Sequence, residues 1–241
     1  PTCSVIFAGG HGDDADGERM REALTPAGVD ISHARIEGFQ AYAVILLTLD
    51  SPERIVLWKG TTTERVDPPS FPDSRLVHVD DTDEAQALSA ATSARRAGRF
   101  VTTDIDRVTD RTRDLMAAAT HPILAEHVPA GLTGESDLAT ALRRLRPLTP
   151  APIIVTRGAA GALALDGDRL IDSPGFAVDA VDATGAGDVF RAGFMTALLE
   201  GNRLEDVLRF ANAAAAASCE KRGAIDGIPT RGRVREVLAR V

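Results

Sequence analysis

The sequence predicts an α/β fold with a central, mostly parallel sheet, helices on both faces and a small β lid. Three observations carry this. Short apolar runs alternate with stretches whose apolar residues recur every three or four positions. Strands and helices in alternation assemble into a parallel sheet covered by helices on both sides. One pair of apolar runs, 42–49 and 54–58, breaks the alternation: they follow one another across a tight polar turn, as in a β-hairpin.

Taken in chain order, residues 4–8 form a strand and Asp16 to Leu24 a helix that Pro26 and Gly28 terminate. The hairpin follows, within a candidate lid at 39–58, and then a loop at 61–73 that holds Pro68, Pro69 and Pro72. Leu76 to Asp80 is a strand. Asp81, with Glu84 three residues on, is expected to open a helix that runs to Ala97 and ends at Gly98. Phe100 to Ile105 is the next strand. Ser136 starts a helix with Leu138, Leu142 and Leu145 on one face, and Ile153 to Thr156 returns as a strand. Residues 162–165 and 169–171 form a short hairpin around Asp166-Gly167-Asp168. A helix from about Gly187 to Glu200 and another from Asn202 to about Cys219 close the main body. The alanine run 213–217 permits close approach of a neighbouring backbone. All this is expected to form one domain over 1–241.

Composition narrows the function. The chain has 241 residues, 44% apolar and 26% charged, which suits a globular protein with its own core. The net charge of −8 and the lack of any Lys/Arg run argue against a nucleic-acid partner. No stretch approaches the roughly 20 apolar residues that cross a bilayer. Cys3 and Cys219 form no CxxC or disulfide framework, so a reducing cytoplasm is expected. There is no HExxH, no GxSxG and no GxxxxGK[ST]. Gly9-Gly-His-Gly12 after the first strand is a poor match to the dinucleotide fingerprint.

The chemistry lies in Asp182-Ala-Thr184-Gly185-Ala186-Gly187-Asp188. Gly185-Ala-Gly187 is a small-residue turn that opens a helix. The unpaired N–H groups there, with the positive end of the helix dipole, make an anion site. Asp188 in the first helical turn would repel a phosphate that merely rested nearby. It makes sense as a base acting on a hydroxyl that attacks the phosphate. Read alone, the stretch is equally compatible with a helix N-terminal acid after an ordinary turn.

DATGAGD followed by Val189-Phe-Arg-Ala-Gly-Phe194 resembles the signature of the ribokinase-like (PfkB-type) carbohydrate kinases. Four further segments resemble that family in the same order. They are Gly12-Asp-Asp-Ala-Asp-Gly17, Pro52-Glu-Arg54 in the lid, Val155-Thr-Arg-Gly158-Ala-Ala-Gly161, and Phe210-Ala-Asn-Ala213 with Arg222-Gly-Ala224 and Ile228-Pro229. The resemblance implies a ribokinase-like fold and ATP-dependent phosphorylation of a sugar hydroxyl, with Mg2+ and a monovalent cation such as K+. It makes Asp188 the catalytic base and Gly185, Ala186 and Gly187 the anion hole. Thr156, Gly158, Gly161 and Asn212 fall where the family binds nucleotide. Asp182 and Thr184, with backbone oxygens near Gly223, match a monovalent-cation site. Asp80 falls where members contact the sugar, though a strand-end cap accounts for it equally well. Asp104 and Asp106 are read as a solvated loop before a metal-mediated contact to the phosphates.

The sequence departs from the family in two places. The family's opening strand with its sugar-binding acid, part of the lid and a glycine-pair motif would fall before Pro1. Its NxxE motif should fall near 121–127, yet the Asn and Glu positions hold Ala125 and Val128, with Glu126 as a substitute. Magnesium is then expected to be held mainly by nucleotide and water. A nucleoside kinase of the same fold and a non-catalytic ligand-binding homologue are the alternatives. The apolar strand from Tyr42 is compatible with a homodimer through the lid.

Overall fold

The computed structural model describes residues 3–36, 38–47, 54–60 and 74–240. Contacts divide the chain into two compact units, Pro1–Ser70 and Phe71–Val241. The expected loop at 61–73 and the lid turn with Pro52 and Glu53 lie outside the described residues.

In the smaller unit, β1 (Val5–Ile6) pairs in parallel with β3 (Val29–Asp30), and β2 (Gly10–His11) with β4 (Arg35–Ile36). Between them runs α1 (Ala15–Leu24), opened by Asp14. One carboxylate oxygen of Asp14 accepts the Gly17 N–H at 2.8 Å, and the other accepts the Gln40 N–H at 3.0 Å. Gln40 Oε1 in turn accepts the Gly12 N–H at 3.0 Å. The Gly12–Gly17 segment and the start of the lid are thus one hydrogen-bonded assembly. β5 (Tyr42–Leu47) and β6 (Arg54–Lys59) form the expected antiparallel hairpin, with Val44 opposite Leu57.

The larger unit holds a sheet of β7 (Leu76–Asp80), β8 (Phe100–Asp104), β9 (Ile123–Ala125), β10 (Ile153–Thr156), β11 (Ala162–Asp166) and β12 (Arg169–Ser173), side by side in that order. The first four are parallel, and single bridges at Thr102–His121 and Ile105–Leu124 join β8 to β9. β11 and β12 add an antiparallel hairpin at one edge. Its helices are α2 (Glu84–Arg96), α3 (Thr112–Ala118), α4 (His127–Thr133), α5 (Leu138–Leu145), α6 (Ala186–Leu199), α7 (Leu204–Ser218) and α8 (Arg231–Leu238).

Period-two alternation sorts the sheet into two cores. Val77, Val101, Leu124, Ile153 and Val155 pack with Ala91, Met116, Val128 and Leu142 of α2 to α5. Ile123, Ile154, Ala162 and Ala164 pack with Phe190 and Phe194 of α6 and with Val207 and Leu208 of α7. The helices therefore cover both faces, as the sequence predicts. Val234 and Val237 of α8 pack on Ala213, Ala214 and Ala217 of α7, a use of the alanine run. Among the described residues no helix is long and apolar enough to cross a membrane.

Three helix starts differ from expectation. α2 is capped by Asp83, whose carboxylate accepts the Gln86 N–H at 3.2 Å. Asp81 is committed elsewhere: it accepts the N–H groups of Asp106 and Arg107 at 2.9 and 2.7 Å. Asp137, one residue past Ser136, caps α5 through the Thr140 N–H at 2.8 Å. Asn202 does not open α7; its Nδ2 donates to Ala197 O at 3.0 Å and closes α6.

Candidate active site

The parallel strands all end on one edge of the sheet. Register sets Asp80 beside Asp104, and Ala125 beside Thr156. Ligands of open α/β sheets bind beyond this carboxyl edge. Asp80 is exposed there, with Oδ1 accepting the Thr82 N–H at 2.7 Å in an Asx turn. Asp104 departs from the expected solvated loop. It is the last residue of β8, on the face that α6 covers, and it pairs with Arg191 of α6. Burial pushes its carboxyl up to about 6; the Arg191 charge opposes that, and the Asp188, Asp81 and Asp106 carboxylates reinforce it. Arg191 is the site residue that motif reading missed. Its position one turn beyond Asp188 was the available signal.

Gly185 sits at φ +78°, the left-handed conformation that glycine adopts without strain, and the helix begins at Ala186. The first i→i−4 bond runs from the Val189 N–H to Gly185 C=O at 2.9 Å. The N–H groups of Gly187 and Asp188 therefore precede the helical ladder, at the positive end of α6. The Asp188 side chain is exposed and, among the described residues, makes neither an ion pair nor a hydrogen bond. A Cβ on Gly185 would stand 2.9 Å from Ala224 Cβ, so the 223–224 loop packs directly behind the turn.

Asp182 ties these parts together. One carboxylate oxygen accepts the Thr184 N–H at 2.9 Å and its hydroxyl at 2.7 Å; the other accepts the Gly223 N–H at 2.9 Å. The bond from Gly223, followed by those from Thr184, holds its carboxyl down at about 2. Cys219 O accepts the Val181 and Asp182 N–H groups at 2.7 and 3.1 Å and fixes the same segment. The structure thus brings Asp182, Thr184 and Gly223 together in one hydrogen-bonded brace.

For a divalent ion the fit is poor. No group of three or more His, Cys, Asp or Glu is placed to hold a metal among the described residues. Val128, at the family's Glu position, is fully buried in the core, and Ala125 offers no side-chain donor. Glu126 is exposed at the start of α4. The His121 ring packs edge-on against Phe100 and Phe194, while His127 Nε2 lies 2.7 Å from Asp106 O.

Thr156, Gly158, Gly161 and Asn212 gather around two touching loops. Gly161 has φ +88°, and a Cβ there would stand 2.3 Å from Ser173 O and 2.4 Å from Gly175 N. Only glycine lets the 158–161 and 173–175 backbones meet so closely. Asn212, 4% exposed on α7, donates Nδ2 to Ser173 O at 2.8 Å and to Pro174 O at 3.3 Å. It pins the second loop from beneath and has little surface to offer a ligand. Thr156 Oγ1 leans on Leu124 O at 3.4 Å.

Comparison with known proteins shows the family and the fold. The pfkB family carbohydrate kinase model matches residues 2–231. An ATP-dependent ribose-1-phosphate kinase of Halopiger xanaduensis is 32% identical over 240 residues, which cover 96% of this chain and 79% of that protein. Ribokinase of Bacillus subtilis is 41% identical over 121 residues, 50% of this chain and 40% of the relative. The structure of Arabidopsis thaliana ribokinase complexed with ribose and ATP matches with a TM-score of 0.86 at 26% identity, over 98% of this chain and 82% of that one.

Proposed function

Because the chain belongs to the pfkB family of carbohydrate kinases, we propose that it transfers the γ-phosphoryl group of ATP to a hydroxyl of a small sugar. The observation that carries this is the exposed Asp188 carboxylate, unpartnered among the described residues, beside the N–H groups of Gly187 and Asp188 that precede the helical ladder. Asp188 takes the proton of the acceptor hydroxyl. The hydroxyl oxygen bonds to the γ-phosphorus as its bond to the β-phosphate oxygen breaks, and that electron pair leaves with ADP. The N–H groups of Gly187 and Asp188, presented by the turn Gly185-Ala186-Gly187 whose Ala186 N–H is taken by Ala183 O at 3.1 Å, hold the negative charge of the moving phosphoryl group.

The nucleotide would lie along Thr156, Gly158 and Gly161, with Asn212 supporting them from below. Asp80, exposed at the strand edge beside Asp104, would meet the sugar. Mg2+ would arrive on the phosphates and neutralise them, held by nucleotide and water in place of an NxxE carboxylate. A monovalent cation such as K+ fits the loop braced by Asp182, Thr184 and Gly223, where full negative charge persists. The two units together would make one ribokinase-like domain, and copies would pair through the lid hairpin, where Tyr42, Val44, Leu46 and Leu57 are exposed on one face. Free Cys3 and Cys219 suit a reducing cytoplasm, and a net charge of −8 disfavours nucleic acid.

The test is ADP release from MgATP over a panel of ribose, ribose 1-phosphate, fructose and adenosine, with and without K+. The Asp188→Asn variant is expected to bind ATP and lose nearly all turnover; retained turnover removes Asp188 from the role of base. Turnover of adenosine with none of any sugar would make the enzyme a nucleoside kinase.

A further inference from the structure

We infer that Asp104 is a positioning residue for phosphoryl transfer, holding the Arg191 guanidinium away from Asp188 so that the base stays free to take a proton. The inference rests on the reading of Asp188 as the base.

Asp188 and Arg191 stand three residues apart in the first turns of α6, the spacing at which opposite charges on a helix meet. The molecule contains its own control. In α1, Asp16 and Arg19 have the same spacing and order at the same end of a helix, and they pair at 2.7 Å. In α6 that pair does not form. Arg191 Nη2 bonds instead to Asp104, across on the sheet, and Asp188 has no ion pair among the described residues. Asp104 lies within electrostatic reach of both Arg191 and Asp188, and it is Asp104, on the sheet face that α6 covers, that takes the guanidinium.

The arginine is held at some cost. Its side chain is only 8% exposed, and its Nε is buried without a partner among the described residues. A buried ion pair of this kind contributes little or nothing to stability compared with an apolar pair of the same volume. Its second terminal nitrogen lies against Gly187, where a Cβ would stand 2.7 Å from Nη1. The last glycine of the anion-hole turn thus makes room for the guanidinium that Asp104 retains. A carboxylate bonded to a guanidinium has its charged form stabilised and is a poorer proton acceptor. Keeping Arg191 on Asp104 therefore leaves the Asp188 carboxylate clear of a guanidinium bond, with a positive charge beside the turn proposed to bind the phosphoryl group.

The experiment compares wild type, Asp104→Asn, the double variant Asp104→Asn with Arg191→Met, and Asp188→Asn. It measures kcat and KM for ATP and for the best acceptor among ribose, ribose 1-phosphate, fructose and adenosine, and it includes a crystal structure of Asp104→Asn. In Asp104→Asn, kcat is expected to fall roughly tenfold or more, as when a general base is compromised, while both KM values stay within about twofold. The double variant should recover most of kcat, because the cation that captures Asp188 is gone. In the crystal, Arg191 should lie against Asp188. An unchanged kcat in Asp104→Asn, a double variant no faster than the single one, or Arg191 still beside residue 104 would each overturn the inference. Loss of turnover in Asp188→Asn alongside a fully active Asp104→Asn removes this inference alone. Turnover retained by Asp188→Asn removes the base and the inference with it.

Discussion

At the scale of single residues, Gly161 and Asn212 show how the loops proposed to meet the nucleotide are held. Both belong to family motifs and were legible as such, but their physical roles were not. Gly161 is required by the backbone of 173–175 passing 2.3–2.4 Å from where its Cβ would be. Asn212 works from the interior, through bonds to Ser173 O and Pro174 O. Gly161→Ala should raise the KM for ATP about tenfold, the effect of losing roughly 1.4 kcal/mol of positioning, and leave the KM for sugar unchanged. A parallel rise in both would mean that the loop does not belong to the nucleotide. Asn212→Ala removes buried hydrogen bonds and should cost about 1–3 kcal/mol of stability, read by urea unfolding. A loss near zero would mean that the 173–174 segment is held without it.

At the scale of elements, the long periodic stretches were legible and the short ones were not. α3 and α4 have seven residues each and β9 has three, too few to show a period, and Pro129 within α4 reads as a breaker. The misplaced starts of α2 and α7 share one cause. Asp81 and Asn202 are good capping residues, but tertiary partners claim them: the 106–107 loop for Asp81 and the end of α6 for Asn202. His121 joins sheet to helix, its ring between Phe100 of β8 and Phe194 of α6. Burial holds its pKa down to about 4 from 6.5. Between these values the unfolded chain takes up a proton that the folded one refuses, so stability falls as pH drops through that window. The loss should reach at most about 3 kcal/mol. His121→Leu should weaken this dependence when unfolding is compared at about pH 7.5 and about pH 5; identical slopes for the two proteins would refute it.

At the scale of the whole molecule, the exposed face of the lid hairpin sets the expected assembly. Tyr42, Val44, Leu46 and Leu57 form a contiguous apolar patch of the kind that marks an association site. Trp58, on the other face, is also exposed, its ring lying over Gly60, where a Cβ would be 2.2 Å away. Light scattering should give twice the chain mass of 25.4 kDa, falling to one chain in Val44→Lys. A wild-type mass of one chain excludes the dimer. The sheet of the larger unit carries a different consequence. Ile153 and Val155 of β10 face one core and Ile154 faces the other, all three fully buried. Neither core can loosen alone and bare this strand on both sides. Its amide protons should accordingly be among the last in the chain to trade with heavy water, released only when the whole unit opens.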